Sequence, residues 1–412
     1  MSQFATEFRR GWRPLLAAGI GTGSGVTGLS FYGFGVFVLP LVAAFGWTRG
    51  EVSAAASFLI LGSAITSPIV GSVIDRFGAR RVGIASLLAL AVAYAALTTL
   101  QGSLAMFYAA WLLLALLGGG TTPVVWTRTV NLWFDRGRGL ALGLALAGSG
   151  IASMFAPPLL TRVIADYGWQ TGYLVMGAFL LMVAIPLVAI LLDERPADRP
   201  EVASAHASTA APNALPGVEL ADALRSLTFW KIGVGFFFVS AVVAALIINL
   251  VPLLIDRGLT PTAAAATAGM MGMAVLIGRV AIGYLLDQHS ASAVAAVVLG
   301  SCALGCVVLA MPDSSSWMLT ISVLALGLAA AAEVDLVAYL SSRFFGLRAY
   351  GKIYGWQLTS FYLGAAGGPL AAGVAFDAYG TYTPVLSFAA AALLMGAVLM
   401  ATLGKPRYAA IG

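Results

Sequence analysis

The chain alternates between long apolar segments and short polar ones. Apolar runs of about 20 residues or more are centred near residues 30, 62, 90, 115, 150, 180, 240, 274, 300, 328, 363 and 392. As a helix, a run of about 20 residues crosses about 30 Å of hydrocarbon. Strands of a membrane barrel would instead alternate between apolar and polar residues over about ten positions. The pattern therefore predicts an all-α membrane protein with twelve transmembrane helices.

Composition and charge agree with this assignment. Of 412 residues, 60% are hydrophobic and only 9% are charged, and the mean hydropathy is +0.95. The basic residues lie mostly in alternate loops, which orients the chain with both termini in the cytoplasm. We therefore expect a multi-pass protein of a bacterial inner (plasma) membrane. Because the basic residues act as topological markers, the net charge of +5 does not indicate a nucleic-acid partner.

A polar segment divides the apolar runs into six and six. Residues 194–227 are rich in Ala, Pro, Ser and charged residues and are too polar to enter a membrane. They predict a cytoplasmic linker that ends in a surface helix over Glu219–Leu227. The flanking segments, 1–193 and 228–412, are predicted to form two six-helix bundles.

The two bundles repeat one another at a nearly constant offset of 212 residues. Gly71 and Asp75 recur as Gly283 and Asp287, and Pro40, Gly46 and Thr48 recur as Pro252, Gly258 and Thr260. Such a repeat predicts halves related by a pseudo-two-fold axis, with a binding site between them near the middle of the membrane.

The loop after the second span carries a recognisable motif, Gly71-Ser-Val-Ile-Asp75-Arg76-Phe-Gly78-Ala-Arg80-Arg81. It resembles the G-x-x-x-D-R-x-G-x-R-R signature of the major facilitator superfamily, which implies that fold. A basic loop set by topology alone would explain the arginines but not the spacing of the glycines and the aspartate. The resemblance implies a gating role for six residues: Gly71, Asp75, Arg76, Gly78, Arg80 and Arg81. We expect Gly71 to admit a neighbouring helix, Asp75 to face the amide end of an opposing helix, and the arginines to form ion pairs.

A second stretch narrows the resemblance. Residues Trp133–Gly148, WFDRGRGLALGLALAG, resemble the signature between helices 4 and 5 of monocarboxylate transporters and of their bacterial oxalate/formate-antiporter relatives. Phe45–Arg49 is also similar to bacterial members. The resemblance implies a secondary transporter rather than an enzyme, with no cofactor or metal. No G-x-x-x-x-G-K-[ST] motif occurs, so direct use of ATP is not expected.

Arg279 lies in the middle of the eighth apolar run. A guanidinium at that depth costs about 2.5–3.5 kcal/mol on insertion scales, so it must face protein, water or a counter-charge. In the resembling family, an arginine of helix 8 binds the substrate carboxylate, and Arg279 occupies the matching place. Val275 stands where the animal transporters have an aspartate, and helix 1 lacks their lysine. Helix 11 has no mid-membrane lysine like that of the oxalate exchanger. A single cation favours a monoanion over a dianion such as oxalate. Alternatively, Arg279 is structural and is neutralised by an acid of the tenth helix.

Two acids of the tenth run, Glu333 and Asp335, are predicted to lie at the depth of Arg279. Two positions on a helix differ by about 200°, so the two acids cannot both face the same partner. One is expected to pair with Arg279, and the other to pack against a helix or carry a proton. Six further polar residues are candidates for lining the cavity, although helix packing explains each equally well: Tyr32, Thr121, Thr122, Asn249, Gln357 and Tyr362.

These features predict proton-coupled symport of a lactate- or pyruvate-like monocarboxylate by a monomer that alternates its access. Its partners are a small organic anion, a proton and the lipid bilayer. One alternative is the exchange of organic anions, oxalate or formate among them, without a proton. Another is efflux of drug-like apolar compounds, favoured by Met270, Met271 and Met273. A receptor without transport is disfavoured because the gate motif is complete.

Overall fold

The structure is a computed structural model that describes residues 3–193, 216–312, 314–406 and 408. Its architecture is twelve long helical segments in two groups of six. They are α1 (Phe4–Phe45), α2 (Arg49–Phe77), α3 (Ala79–Leu97), α4 (Leu104–Trp133), α5 (Arg138–Tyr167), α6 (Trp169–Leu191), α7 (Leu227–Asp256), α8 (Pro261–Gln288), α9 (Ala291–Ala310), α10 (Ser316–Phe345), α11 (Tyr350–Tyr379) and α12 (Thr383–Ala401). The predicted all-α membrane fold is confirmed.

Eleven of these segments are long and apolar enough to cross a membrane. The exception is α11, which is continuous over 30 residues but contains many glycines and polar side chains. It packs between α7 of its own half and α2 of the other half. These two contacts bury one side of α11, mainly in its first half, whereas Leu370 and Val374 near its end are exposed.

The first span is longer and less regular than a single α-helix. It is α-helical over Gln3–Ser24, forms a π-turn over Val26–Ser30, and passes through a 3₁₀ segment before ending at Phe45. The π-turn lies against a 3₁₀ segment of α4, Gly118–Thr121. The Thr121 hydroxyl accepts a hydrogen bond from the Val26 amide at 3.0 Å. This contact supplies a partner to a backbone amide that the irregular turn exposes at mid-membrane depth.

Close glycine contacts join the two halves along two pairs of helices, α2 with α11 and α5 with α8. A Cβ added to Gly71 would collide with the Gly351 carbonyl, and one added to Gly283 would collide with the Gly139 carbonyl. These contacts lie at the end of the molecule that carries the Arg76–Arg81 loop, here called the basic end. The sequence predicts that this end faces the cytoplasm.

The halves separate toward the other end, here called the opposite end. Glycines nearer that end of α8 and α11 have open space: a Cβ added to Gly269, Gly272, Gly367 or Gly373 would meet no atom within 4 Å. Tyr32, on the corresponding part of α1, is 38% exposed. The structure thus represents a state that is closed at the basic end.

Most of the predicted linker lies outside the described residues. Its last part begins at Pro216 and pairs with the loop after α10, where the Leu347 amide donates to the Pro216 carbonyl at 2.8 Å. The predicted surface helix is present but shorter than expected, covering Leu220–Arg225. It ends early because the Ser226 hydroxyl caps the start of α7 by accepting from the Phe229 amide.

Candidate functional site

Arg279 of α8 meets Asp335 of α10 inside the membrane-spanning region. Its Nη1 donates to Asp335 Oδ1 at 3.1 Å. The pair is monodentate: Arg279 Nε and Asp335 Oδ2 are buried without hydrogen-bond partners among the described residues. The Arg279 side chain is 11% exposed, whereas that of Asp335 is 1% exposed. The ion pair neutralises the cation but leaves part of its hydrogen-bonding capacity unused.

Glu333 does not share this contact. It lies two positions away on the same helix, near Arg279, and its Oε2 is buried without a partner in the part of the chain that the structure describes. Its surroundings include Cys302 on α9. The two acids therefore face different neighbours, as their positions around the helix require. The sequence leaves open which acid pairs with Arg279, and the structure identifies Asp335.

The other predicted cavity residues do not converge on Arg279. Tyr32 is exposed on α1. Thr121 and Thr122 are fully buried and donate to the carbonyls of Gly118 and Gly119, as packing residues do. The remaining three are placed as follows: Asn249 donates to Ala245 O and accepts from Tyr382, Gln357 donates to Phe229 O of α7, and Tyr362 lies against Phe361.

The gate motif behaves as its spacing predicts at Asp75. This carboxylate accepts hydrogen bonds from the backbone amides of Gly351 and Lys352, each at 3.1 Å. These amides begin α11, so the negative charge lies at the positive end of that helix dipole. Gly71 makes the approach possible because it has no side chain at the point where α2 crosses α11.

The other half contains the same contact. Asp287 of α8 accepts from the amides of Gly139 and Leu140, at 2.6 and 2.9 Å, at the start of α5. The offset of the sequence repeat relates Asp75 to Asp287, and the same offset relates Gly139 to Gly351. Each half therefore supplies an aspartate that caps a helix of the other half.

The described contacts of two arginines of the motif lie away from the Asp75 cap, and the ion pairs expected of the motif arginines stay a prediction. Asp75 is approached by Arg128 of α4, with Nε at 3.4 Å from Oδ1. Arg76 lies over the Phe77 ring, and Arg80 donates to the Ala189 carbonyl at the end of α6. Spacing places these arginines in the loop, but their direction depends on how α6 packs beside it.

The halves make a further contact that sequence reasoning does not predict. Asp135, in the loop between α4 and α5, accepts from Arg343 of α10 at 2.8 Å and from Arg138 at 3.1 Å. Both arginines are almost completely buried. Arg138 also donates to Ser342. The sequence contains part of the information needed to predict this contact, because Asp135 and Arg138 lie within the Trp133–Gly148 stretch. Only the tertiary structure brings Arg343 to them.

Removing both aspartate caps should open the basic end. In Asp75→Asn/Asp287→Asn, two charge–dipole contacts, each worth up to about 2 kcal/mol in partly buried geometry, are weakened. We expect the population closed at the basic end to fall by about ten-fold or more. Double electron–electron resonance between spin labels at Gln101 and Thr381, exposed positions at the opposite end of each half, should report a shorter distance.

The labelling is specific because both native cysteines, Cys302 and Cys306, are buried. Asp256→Asn provides the matched control: it neutralises an exposed aspartate at the far end of α7 and should leave the distance distribution unchanged. An unchanged distribution in the double variant would show that the caps do not hold the gate.

Comparison with known proteins gives matches over most of the chain. A sequence model described as the Major Facilitator Superfamily matches residues 20–366 and 232–410. Monocarboxylate transporter 13 of Bos taurus is 28% identical over 381 residues, which cover 90% of this chain and 84% of the relative. The MFS-type transporter YhjX of Escherichia coli strain K12 is 23% identical over 341 residues, 82% of each chain.

Among solved structures, the human organic anion transporter MFSD10 (TETRAN) superposes with a TM-score of 0.71. The alignment covers 94% of this chain and 99% of that one at 16% sequence identity. At this level of identity the likeness concerns the fold alone.

Proposed function

The chain belongs to the Major Facilitator Superfamily, and from that premise we propose that it is a secondary transporter of small organic monocarboxylates. The observation that carries the proposal is the monodentate ion pair of Arg279 with Asp335. The guanidinium has a buried nitrogen without a partner among the described residues, and it is bound to one oxygen of one acid. A carboxylate is the ligand best matched to a guanidinium with free donors.

Competition between two acids for one cation couples the solute to a proton. A substrate carboxylate binds Arg279 once Asp335 takes up a proton and releases it. The loaded site then carries no net charge, so the halves can rock around it without burying an unpaired ion. In the empty carrier, the ionised Asp335 returns to Arg279 and again neutralises the site. Glu333 provides a second buried acid within the electrostatic reach of Arg279.

Orientation follows from the distribution of charge, and the monomeric state is proposed because one chain supplies both halves of the site. The basic end, which holds the Arg76–Arg81 loop, faces the cytoplasm of a bacterial cell, and the protein works as a monomer in the plasma membrane. The state closed at the basic end then admits solute from outside the cell. Opening the gate formed by Asp75, Asp287 and Asp135 would release the solute inward.

Ligand-dependent stability tests the proposal. We expect lactate or pyruvate, added at about 100 times its dissociation constant, to stabilise the purified protein by about 2.7 kcal/mol, a rise in Tm of a few degrees. Formate and oxalate in the same series compare a smaller monoanion with a dianion. Arg279→Gln should abolish the rise, whereas Arg162→Gln, at an exposed arginine of α5, should preserve it. Stabilisation that persists in Arg279→Gln would remove this residue from the binding site.

Two other functions predict different results. Exchange of two anions without a proton would require internal anion and would ignore an imposed pH gradient. Efflux of apolar compounds is favoured by an open groove of about 230 Å³ between α8 and α10, which is lined by apolar residues that include Met270 and Met273 of α8. Met271 instead packs inward against Gly327. In the efflux case, apolar compounds rather than carboxylates would raise Tm, and Arg279→Gln would have little effect.

A further inference from the structure

A group of uncharged polar side chains fills the inner gate, the contact between α4 and α11 on the basic-end side of the Arg279–Asp335 pair. The Tyr350 hydroxyl donates to the Thr127 hydroxyl at 3.1 Å, and both residues are fully buried. The rings of Tyr350 and Tyr354 stack with centroids 5.3 Å apart. Because α4 belongs to one half and α11 to the other, this contact must break when the basic end opens.

Two members of the inner gate have unused hydrogen-bonding groups. Asn131 of α4 is 0% exposed, and its amide lies within hydrogen-bonding reach of the Tyr350 hydroxyl, but neither its Nδ2 nor its Oδ1 makes a well-aligned hydrogen bond to a described residue. The Tyr354 hydroxyl is buried beside Thr127 and likewise has no well-aligned hydrogen bond to a described residue. A contact that served only to seal the gate would be apolar or fully hydrogen-bonded, because an unsatisfied buried polar group is unfavourable. The hydrogen-bonding capacity of these groups is incompletely used in this state and is available to a ligand when the gate opens.

The titratable groups around the inner gate define where it lies along the transport path. Those near Tyr354 are Asp335 and the hydroxyls of Tyr350 and Tyr362, and those near Tyr350 are Arg138 and Asp75. Tyr354 thus lies toward the ion pair, and Tyr350 lies toward the aspartate caps of the basic end. The inner gate therefore lies between the ion pair and the aspartate caps.

We propose that Tyr354 and Asn131 form a second, uncharged subsite that binds the oxygen atoms of the carboxylate substrate on its way to or from the basic end. The subsite rests on the proposed function, since it receives the anion that Arg279 releases. Opening separates α4 from α11 and turns the tyrosine hydroxyl and the amide donors toward the passage. Neutral donors hold a carboxylate less strongly than a guanidinium, so the anion binds there without being trapped.

Sidedness of transport tests the subsite. Lactate transport is measured in vesicles of both orientations carrying Tyr354→Phe or Asn131→Val. We expect KM from the basic end to rise about ten-fold, and KM from the opposite end to change less than two-fold. Tyr173→Phe is the matched control, because it removes another buried tyrosine hydroxyl without a described partner, from the interior of the first half. It should leave both KM values unchanged.

The outcomes are separable. Equal KM changes from both ends, or no change from either, would overturn the subsite while leaving the proposed function in place. A larger fall in Tm for Tyr354→Phe than for Tyr173→Phe would show that the hydroxyl is structural and would also overturn it. If the unaltered protein transports no monocarboxylate, the proposed function fails, and the subsite fails with it.

Discussion

Replacing Arg279 with glutamine is expected to lower the initial rate of monocarboxylate uptake about 100-fold. The substitution removes a charge-assisted hydrogen bond to the substrate, worth about 1.5–3 kcal/mol, from a site that excludes most water. It also leaves Asp335, which is 1% exposed, without its cation. Uptake of radiolabelled lactate into proteoliposomes under an inward proton gradient measures the effect.

Two companion variants separate loss of binding from loss of folding. Arg279→Lys keeps the charge but not the planar fork of the guanidinium. Its uptake rate should therefore lie between the rates of the unaltered protein and of Arg279→Gln. Arg279→Gln/Asp335→Asn removes both buried charges, and should recover the Tm lost in Arg279→Gln without recovering uptake. Uptake by Arg279→Gln within a few-fold of the unaltered rate would contradict a substrate-binding role for this arginine.

Replacing Asp335 with asparagine is expected to abolish net uptake while sparing exchange. The empty carrier would then have to change conformation with Arg279 buried and unpaired, at a cost of about 3–5 kcal/mol. That cost slows the return step by about 100-fold or more. During exchange the carrier always moves with a bound anion, which neutralises Arg279 in both directions. Parallel assays of net uptake and of exchange against internal unlabelled substrate distinguish the two processes.

Glu333→Gln serves as the comparison, because it removes the neighbouring acid without breaking the 3.1 Å contact between Arg279 and Asp335. Its effect on net uptake should be much smaller than that of Asp335→Asn. If Glu333→Gln instead abolished net uptake and Asp335→Asn did not, Glu333 would be the acid that carries the proton. If Asp335→Asn lost exchange as completely as net uptake, the ion pair would be needed for binding rather than for the return step.

The gate shows how far a repeat can predict a contact. The motif predicts that Asp75 faces the amide end of an opposing helix, and the offset of the repeat supplies its counterpart, Asp287. The same offset links their partners, Gly351 and Gly139, because the halves pack with pseudo-two-fold symmetry. The symmetry ends at the ion pair: the position matching Arg279 in the first half is Ser67, which is buried and bonded to its own helix. The two halves thus share the gate but not the cation.

The irregular part of α1 makes a contact that the sequence does not predict. Thr121 is a reasonable candidate for lining the cavity, since it is a polar residue near the middle of a span. In the structure its hydroxyl accepts from the amide of Val26, which the π-turn of α1 leaves without a regular helical partner. This hydrogen bond forms only because α1 and α4 lie against each other. No local sequence pattern therefore predicts it.

The helical membrane fold, the pairing of the two aspartates by the repeat, and the common depth of Arg279, Glu333 and Asp335 all follow from the order of residues alone. These properties depend on local apolarity and on a constant rise per residue, both of which can be read along one chain. That Asp335 holds Arg279, and that Arg128 approaches Asp75, became clear only from the packed helices. Each of these contacts depends on how a helix is rotated about its axis, and that rotation is set by packing against helices far away in the sequence.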